Sequence, residues 1–323
     1  MNNKVVIIGC GNVGMSYAYA LLNQRTSVNE LVLIDINEKK ACGEVMDLHH
    51  GLAFAPSNLK IKHGNYSDCS DAKIIVIAAG ANQEIGETRM DLIHKNNMVF
   101  ENILSEIKKT DFKGIYLIAT NPVDVMSYIT WKHAECDPNK VIGTGTTLDT
   151  ARLKYEIAKQ VNINPKDIHA YVIGEHGDTE FVPWSNANIG LQNIRDFLDG
   201  ETLDQICNKV RNAAYDIIDR KGNTSYGIGM SMVRITNAIL ENENAILPVS
   251  SYDKNNDVFV GGPTILNNTG VVERIYVRLT EIETDKLQHS IDTLKEAISS
   301  IKISSDNSNE EFQKEFDDEI DII

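Results

Sequence analysis

Cysteine is scarce in this chain and badly placed for a scaffold. The five residues, Cys10, Cys42, Cys69, Cys136 and Cys207, are odd in number and widely scattered. They have neither the pairing of a disulfide framework nor the spacing of a zinc site, which points to a reducing cytoplasm and to no bound metal. No apolar run reaches spanning length and no basic-then-apolar leader opens the chain, so a membrane partner is not expected. A cationic surplus is also missing: 31 Lys and Arg stand against 46 Asp and Glu, a formal net charge of -15. That balance disfavours nucleic acid and other polyanions, although local cations can still hold a small anion. Internal repeats and Pro/Gly/Ser-rich linkers are absent. What remains is an ordinary globular composition, 42% hydrophobic and 24% charged, in a chain of 323 residues that fits two domains.

The N-terminal stretch is the most informative. Lys4-Val5-Val6-Ile7-Ile8 is β-branched and does not alternate, the pattern of a strand buried on both faces. Gly9-Cys10-Gly11-Asn12-Val13-Gly14 follows at once, and Met15 to Leu22 has the character of an apolar helix. In a strand–turn–helix of this kind Gly9 allows the tight turn, Gly11 lets a pyrophosphate approach the backbone, and Gly14 packs helix on strand. The helix start supplies N–H donors and a positive dipole end. A second strand, Leu31-Val32-Leu33-Ile34, ends in Asp35, about 20 residues beyond the last glycine as the dinucleotide fingerprint requires. Asp35 would accept from ribose hydroxyls and repel a 2′-phosphate, which favours NAD over NADP. A purely structural βαβ unit is the other reading.

Glu38 to Leu48 follows as a polar-faced helix, with His49-His50 behind it in a surface or capping role. Buried-type strands recur at Lys73 to Ala79, Ile115 to Ala119 and Val141 to Thr144. Strands alternating with helices from Lys4 to Thr144 imply a doubly wound parallel sheet. Between two of those strands, Gln83-Glu84-Ile85-Gly86-Glu87-Thr88-Arg89 follows Gly80-Ala81 at a strand end. A polar segment so placed is either a solvated loop or a mobile lid carrying Arg89. Beyond the last strand, Asp149 and Arg152 sit three apart on one helix face. They form a surface ion pair, or else they face a site in which the carboxylate orients an imidazole and the guanidinium grips a carboxylate. The imidazole on offer is His176. Tyr171-Val172-Ile173 is an apolar run of strand type that ends in Gly174-Glu175-His176-Gly177-Asp178. Glycines on both sides hold the ring at a strand end, either for proton transfer or merely bonded to its own turn.

Gly-Cys-Gly-Asn-Val-Gly, the Gln83…Arg89 segment, Asn121-Pro122-Val123-Asp124, Asp149-Thr150-Ala151-Arg152 and Gly174-Glu175-His176-Gly177-Asp178 occur in one order and spacing. Together they resemble the lactate/malate dehydrogenase family, on its bacterial L-lactate side, from the N-terminus to about residue 300. The resemblance implies an NAD-binding Rossmann-type domain, residues 1–144, and an α+β substrate domain, residues 145–303. It implies His176 as proton donor and acceptor, Asp149 as the carboxylate that orients it, and Arg152 as the grip on the substrate carboxylate. Arg89 is implied to polarise the reacting carbonyl, with Asn121 and Thr224 lining the pocket. Gly9, Gly11, Val13, Gly14, Asp35, Lys40, Tyr66, Gly80, Ala81, Asn121 and Thr144 fall at positions that contact NAD. Gln83 stands where the malate branch has an arginine for a second carboxylate. Neutral glutamine with Glu84 beside it favours pyruvate and L-lactate over malate or another L-2-hydroxy acid. The family also implies a homotetramer. Its bisphosphate-activated members hold fructose 1,6-bisphosphate with an arginine and a histidine. Here His169 matches the histidine, but Lys154 replaces the arginine and lacks its bidentate fork, so activation could survive, weaken or be absent. A weakened or altered response is expected, and two ordinary surface residues are the other reading. A non-catalytic NAD-binding descendant is the alternative class, and it would have no chemical reason to keep His176, Asp149, Arg89 and Arg152 together.

The second half is expected to supply helices at Leu203 to Ile218, Ser225 to Leu240 and Glu283 to Ile301. Antiparallel strands are expected at Ala245 to Val249, Val258 to Val260 and Thr264 to Leu266, with a further strand at Val271 to Leu279 and a hairpin loop at Asp253 to Asp257. Residues 304–323 form an acidic extension with apolar Phe312, Phe316, Ile320, Ile322 and Ile323. Disorder and docking on another subunit are both open for it.

Overall fold

The computed structural model describes residues 2–56, 58–81 and 88–301. The first half runs β1 (Lys4–Ile8), α1 (Asn12–Asn23), β2 (Glu30–Ile34), α2 (Glu38–Gly51), β3 (Lys60–His63) and β4 (Ile74–Ile77). Then come α3 (Arg89–Lys108), β5 (Ile115–Ile118), α4 (Val123–Ala134), β6 (Val141–Gly143) and α5 (Thr147–Val161). The second half continues with β7 (Ile168–His169), β8 (Asn188–Ile189), β9 (Gln192–Asn193), α6 (Gly200–Lys221) and α7 (Tyr226–Leu240). It closes with β10 (Ala245–Asp253), β11 (Val258–Asn267), β12 (Gly270–Arg274) and α8 (Glu281–Ser299).

Strands β1 to β6 pair in parallel in the spatial order β3-β2-β1-β4-β5-β6. This is the doubly wound order, reversing direction between β1 and β4. The non-alternating apolar strands are explained by their period of two. Val5 and Ile7 enter one core with α1, α2 and α7, while Val6 and Ile8 enter the opposite core with α3, α4 and α8. A third cluster, including Leu153, Ile157, Val172, Val182, Trp184 and Leu203, lies where α5 and α6 meet the short sheet β7-β8-β9.

Several expectations are corrected here. β3 is an edge strand whose Lys60, Lys62 and His63 hide its strand character, as charged edge strands do. Val258 to Val260 and Thr264 to Leu266 are not two strands: β11 runs unbroken through Gly261-Gly262-Pro263. β12 stops at Arg274, well short of Leu279. Tyr171 to Ile173 is extended but is no regular strand, contributing only isolated bridges from Ile173 to Phe181 and from Gly174 to Gly261. The antiparallel pairing itself is as expected. β10 joins β6 through the pair Ser250 and Gly143, so one nine-stranded sheet runs from the first half into the second. No helix among the described residues is long and apolar enough to cross a membrane.

α1 and α7 pack on each other, and the fully buried Tyr17 hydroxyl meets Thr236 Oγ1 at 2.6 Å across that contact. Tyr17→Phe removes the bond while keeping the ring, and it should lower unfolding stability by about 1 kcal/mol in urea titration. An unchanged midpoint would mean that the bond contributes nothing beyond what water supplies.

Candidate active site

The glycine-rich turn is shaped by close approach. Gly9 has φ +103°, and a Cβ on it would stand 2.5 Å from the Ala79 nitrogen. A Cβ on Gly14 would stand 2.0 Å from the Gly9 oxygen, whereas one on Gly11 would meet nothing within 4 Å. The turn is thus closed on the protein side and open on the other, where a pyrophosphate would lie. Gly11 caps α1 without a side-chain hydrogen bond, which leaves the first helical N–H groups clear of a capping side chain. Asp35 accepts from the Cys10 N–H at 2.6 Å and the Asn37 N–H at 2.9 Å, so its carboxylate is fixed at the end of β2. A cavity of about 920 Å³ lies beside the turn, lined in part by Cys10, Gly11, Asn12, Lys40, Ser225 and Tyr226. These features fit a dinucleotide.

The other predicted cofactor positions are spread along the same sheet edge. Gly80 and Ala81 follow β4, Thr144 follows β6, Val13 is in the first turn of α1, and Tyr66 opens a short 3-10 helix after β3. Asn96, a residue that sequence reasoning passed over, joins two of the strand ends. Its Oδ1 accepts from the Ala81 N–H at 2.8 Å, and its Nδ2 donates to the Asn121 carbonyl at 3.0 Å. Thr224 is half-buried just ahead of α7.

His176, Asp149 and Arg152 come together. The Asp149 carboxylate is almost wholly buried; Oδ2 meets His176 Nδ1 at 2.7 Å and Oδ1 accepts from Arg152 Nη1 at 2.8 Å. The pair three apart on α5 is therefore no surface ion pair. The His176 side chain keeps 24% exposure, so the ring is held from behind by Asp149 and still open to solvent. Burial by itself would lower the imidazolium pKa; the Asp149 carboxylate, helped by Glu180 and Asp124, reverses this and raises it to about 9. Burial pushes the Asp149 carboxyl upward, but His176 and Arg152 hold it below the ordinary aspartate value.

Supporting residues come from elements distant in sequence. Asp124, fully buried at the start of α4, accepts from the His176 backbone N–H at 2.7 Å and from Ser250 Oγ at 2.5 Å. Burial raises its carboxyl to about 6. Gly174 has φ +98°, and a Cβ there would lie 2.6 Å from Ser290 Oγ on α8. That hydroxyl accepts from the Glu175 N–H and donates to the Thr179 carbonyl, each at 2.9 Å. The histidine turn is thus pinned on one side by β11, through the Gly174–Gly261 bridge, and on the other by α8. Asp124 stood in a noted motif without a role; for Ser250 and Ser290 no sequence signal pointed to the turn.

Gln83 and the Arg89 side chain lie outside the described residues, as does the acidic extension. Arg89 opens α3, whose start carries a reciprocal cap between Thr88 and Asp91. His49 bonds the Ile61 carbonyl at 2.8 Å from the last turn of α2. Of the residues matched to an effector site, Lys154 lies 5.7 Å over the Tyr171 ring with its pKa lowered by burial, and His169 is exposed on β7.

The lactate/malate dehydrogenase NAD-binding domain matches residues 3–143, and the alpha/beta C-terminal domain of the same family matches residues 146–304. The chain belongs to the lactate/malate dehydrogenase family. Among its relatives, L-lactate dehydrogenase 2 and L-lactate dehydrogenase 1 of Bacillus cereus are each 48% identical over 309 residues, covering 93% of this chain and 98% of theirs. A lactate dehydrogenase structure from a Medee basin deep-sea metagenome library superposes with a TM-score of 0.90 at 48% identity, covering 93% of this chain and 98% of that one. The minor L-lactate dehydrogenase from Enterococcus mundtii, in its ligands-bound form, gives 0.91 at 42% identity, covering 94% and 99%. The family's α/β architecture, with an NAD-binding N-terminal domain, is the one expected from the glycine-rich turn and Asp35.

The Asp149 bond has a direct consequence for the His176 ring. Acylation by diethyl pyrocarbonate, which takes only neutral imidazole, should follow a midpoint near pH 9 at His176, read by peptide mass mapping to separate it from the other histidines. In Asp149→Asn the midpoint should fall by about two units or more, because burial then acts without its main opponent. A midpoint that stays put would remove Asp149 as the cause.

Proposed function

We infer that this chain is an NAD-dependent L-lactate dehydrogenase, interconverting pyruvate and L-lactate. The observation that carries the reading is the buried relay from Arg152 through Asp149 to His176, in a chain 48% identical to L-lactate dehydrogenases along 93% of its length. Bound NADH supplies the hydride that reduces C2 of the 2-oxo acid. The chain's own residues do the rest. Arg152 grips the substrate carboxylate and sets its orientation, the entropic part of the barrier. His176, charged below about pH 9, gives its proton to the carbonyl oxygen. Asp149 fixes the ring and stabilises the imidazolium, and Arg89 faces the oxygen on which negative charge develops. By its match to the family, the Gln83 to Arg89 segment is the one that would exclude water from the site, which would strengthen each of these interactions. Asn121 and Thr224 wall the pocket beside the substrate.

The same reading gives residues 1–144 to the cofactor, 145–303 to the substrate groups, and leaves 304–323 as an extension. It makes the enzyme a cytoplasmic homotetramer of fermentative glycolysis. Lys154 and His169 are the groups through which fructose 1,6-bisphosphate would act. With Lys154 a single, half-buried point charge, the response is weaker than an arginine would give.

NADH oxidation should be rapid with pyruvate and at least about a hundredfold slower with oxaloacetate, whose second carboxylate finds no cation at Gln83. Gln83→Arg should reverse that ratio; a wild-type preference for oxaloacetate would instead make the chain a malate dehydrogenase. The pH dependence has a definite sign. A raised His176 pKa keeps the proton donor charged below about 9, so kcat/KM for pyruvate should be level there and fall tenfold per unit above it. Lactate oxidation, which needs the neutral ring, should rise tenfold per unit up to about pH 9 and level off above it. A pyruvate limb centred near the ordinary histidine value would contradict the assignment.

A further inference from the structure

Glu180 has no part in the chemistry just described, yet it lies inside the site. Its side chain is in a residue only 6% exposed, and a carboxylate oxygen lies within 4.8 Å of both the His176 ring nitrogen and an Asp149 oxygen. Among the described residues no hydrogen-bond donor meets that carboxylate. Its backbone, in contrast, is tied on both sides: the N–H donates to the Gly177 carbonyl and Arg211 Nη2 donates to the Glu180 carbonyl, both at 3.3 Å. The residue is largely buried and no donor among the described residues offsets its charge, so the anion is disfavoured, although its carboxylate oxygens are not both sealed and unpartnered. A metal ion is a poor explanation for the cluster, since Asp149 already spends one oxygen on Arg152 and the other on His176.

We propose that Glu180 is a second proton-holding residue of this site, neutral at working pH, whose ionisation keeps His176 protonated as the solution becomes alkaline. The charges around it explain why. Asp149 and Arg152 face it from α5, His176 from the turn and Arg211 from α6, while Asp124 of α4 accepts from the His176 backbone N–H and acts on that ring rather than on Glu180. Three carboxyl groups therefore surround His176, and the substrate adds a fourth anion when it binds Arg152. Two carboxylates this close to each other do not both ionise readily, so one keeps its proton. Asp149 is held ionised by its two direct partners; Glu180, with none, is the one that stays neutral. Consistently, burial and then the Asp149 charge push the Glu180 carboxyl up to about 8. Once ionised, it adds a negative charge about 5 Å from the imidazolium, enough to delay loss of the ring proton by about one unit or more.

The inference rests on His176 as the proton-transfer group, and the two can fail separately. Pyruvate turnover tests the first; the acylation midpoint of His176, measured without substrate or NADH, tests the second. In Glu180→Gln, which keeps size and shape, the midpoint should fall by about one unit, so that His176 acylates severalfold to tenfold faster than wild type near pH 8. Glu180→Asp, which keeps the charge, should restore most of the difference. A side chain that merely packs would leave the midpoint unchanged in both variants, and that result overturns the proposal. Should Glu180→Gln fail to fold, infrared difference spectra of wild-type protein labelled with ¹³C-glutamate decide: a protonated glutamic acid band must be present near neutral pH and vanish by about pH 9. Its absence would equally overturn the proposal, and the label separates Glu180 from Asp124.

Discussion

One buried anion organises the catalytic half of this protein. The Asp149 carboxylate has been taken out of water on an amphipathic helix, and such a charge is tolerated only when both oxygens are satisfied. Arg152, one helical turn on, satisfies the first, and His176, from a turn after the third cluster's extended segment, satisfies the second. Each bond has a functional side. The first holds the guanidinium in place, and the second fixes the imidazole and raises its proton affinity. Because the bonds share one carboxylate, the guanidinium and the imidazole are held at a fixed separation, as their proposed roles of substrate grip and proton donor require.

That arrangement depends on scaffolding drawn from elements far apart in the chain. β10 continues the parallel sheet beyond β6 and brings Ser250 to Asp124, which in turn accepts from the His176 backbone. β11 bridges Gly174, and α8 places Ser290 against the other side of the same turn. The cofactor side is built differently, from backbone alone: three glycines, a helix start without a capping side chain, and one acid at a strand end. Steric closeness sets that part, while charge and hydrogen bonding set the other. The shared nine-stranded sheet holds both in one frame.

The legible features were those whose signal is local. Buried parallel strands are apolar along their whole length, so β1, β2, β4 and β5 stood out, with errors confined to their ends. β3 was hidden because an edge strand is protected by charge rather than marked by hydrophobicity. The 258–267 segment was read as two strands because Gly261-Gly262-Pro263 resembles a turn, although β11 passes straight through it. His176, Asp149 and Arg152 could be named together through their resemblance to a family, but the residues alone left a surface ion pair as an equal reading.

The sequence by itself determined the doubly wound half and the dinucleotide turn with its acid, because each is written in contiguous residues, whereas the relay was named only through the family resemblance. Only the tertiary structure decided that Asp149 is buried, that Ser250 and Ser290 brace the histidine turn, and that Glu180 lies against the relay rather than in solvent. Those facts turn on which residues, up to 126 apart in sequence, are brought within a hydrogen bond's length. Burial and charge proximity are properties of packing, and no local pattern of residues carries them.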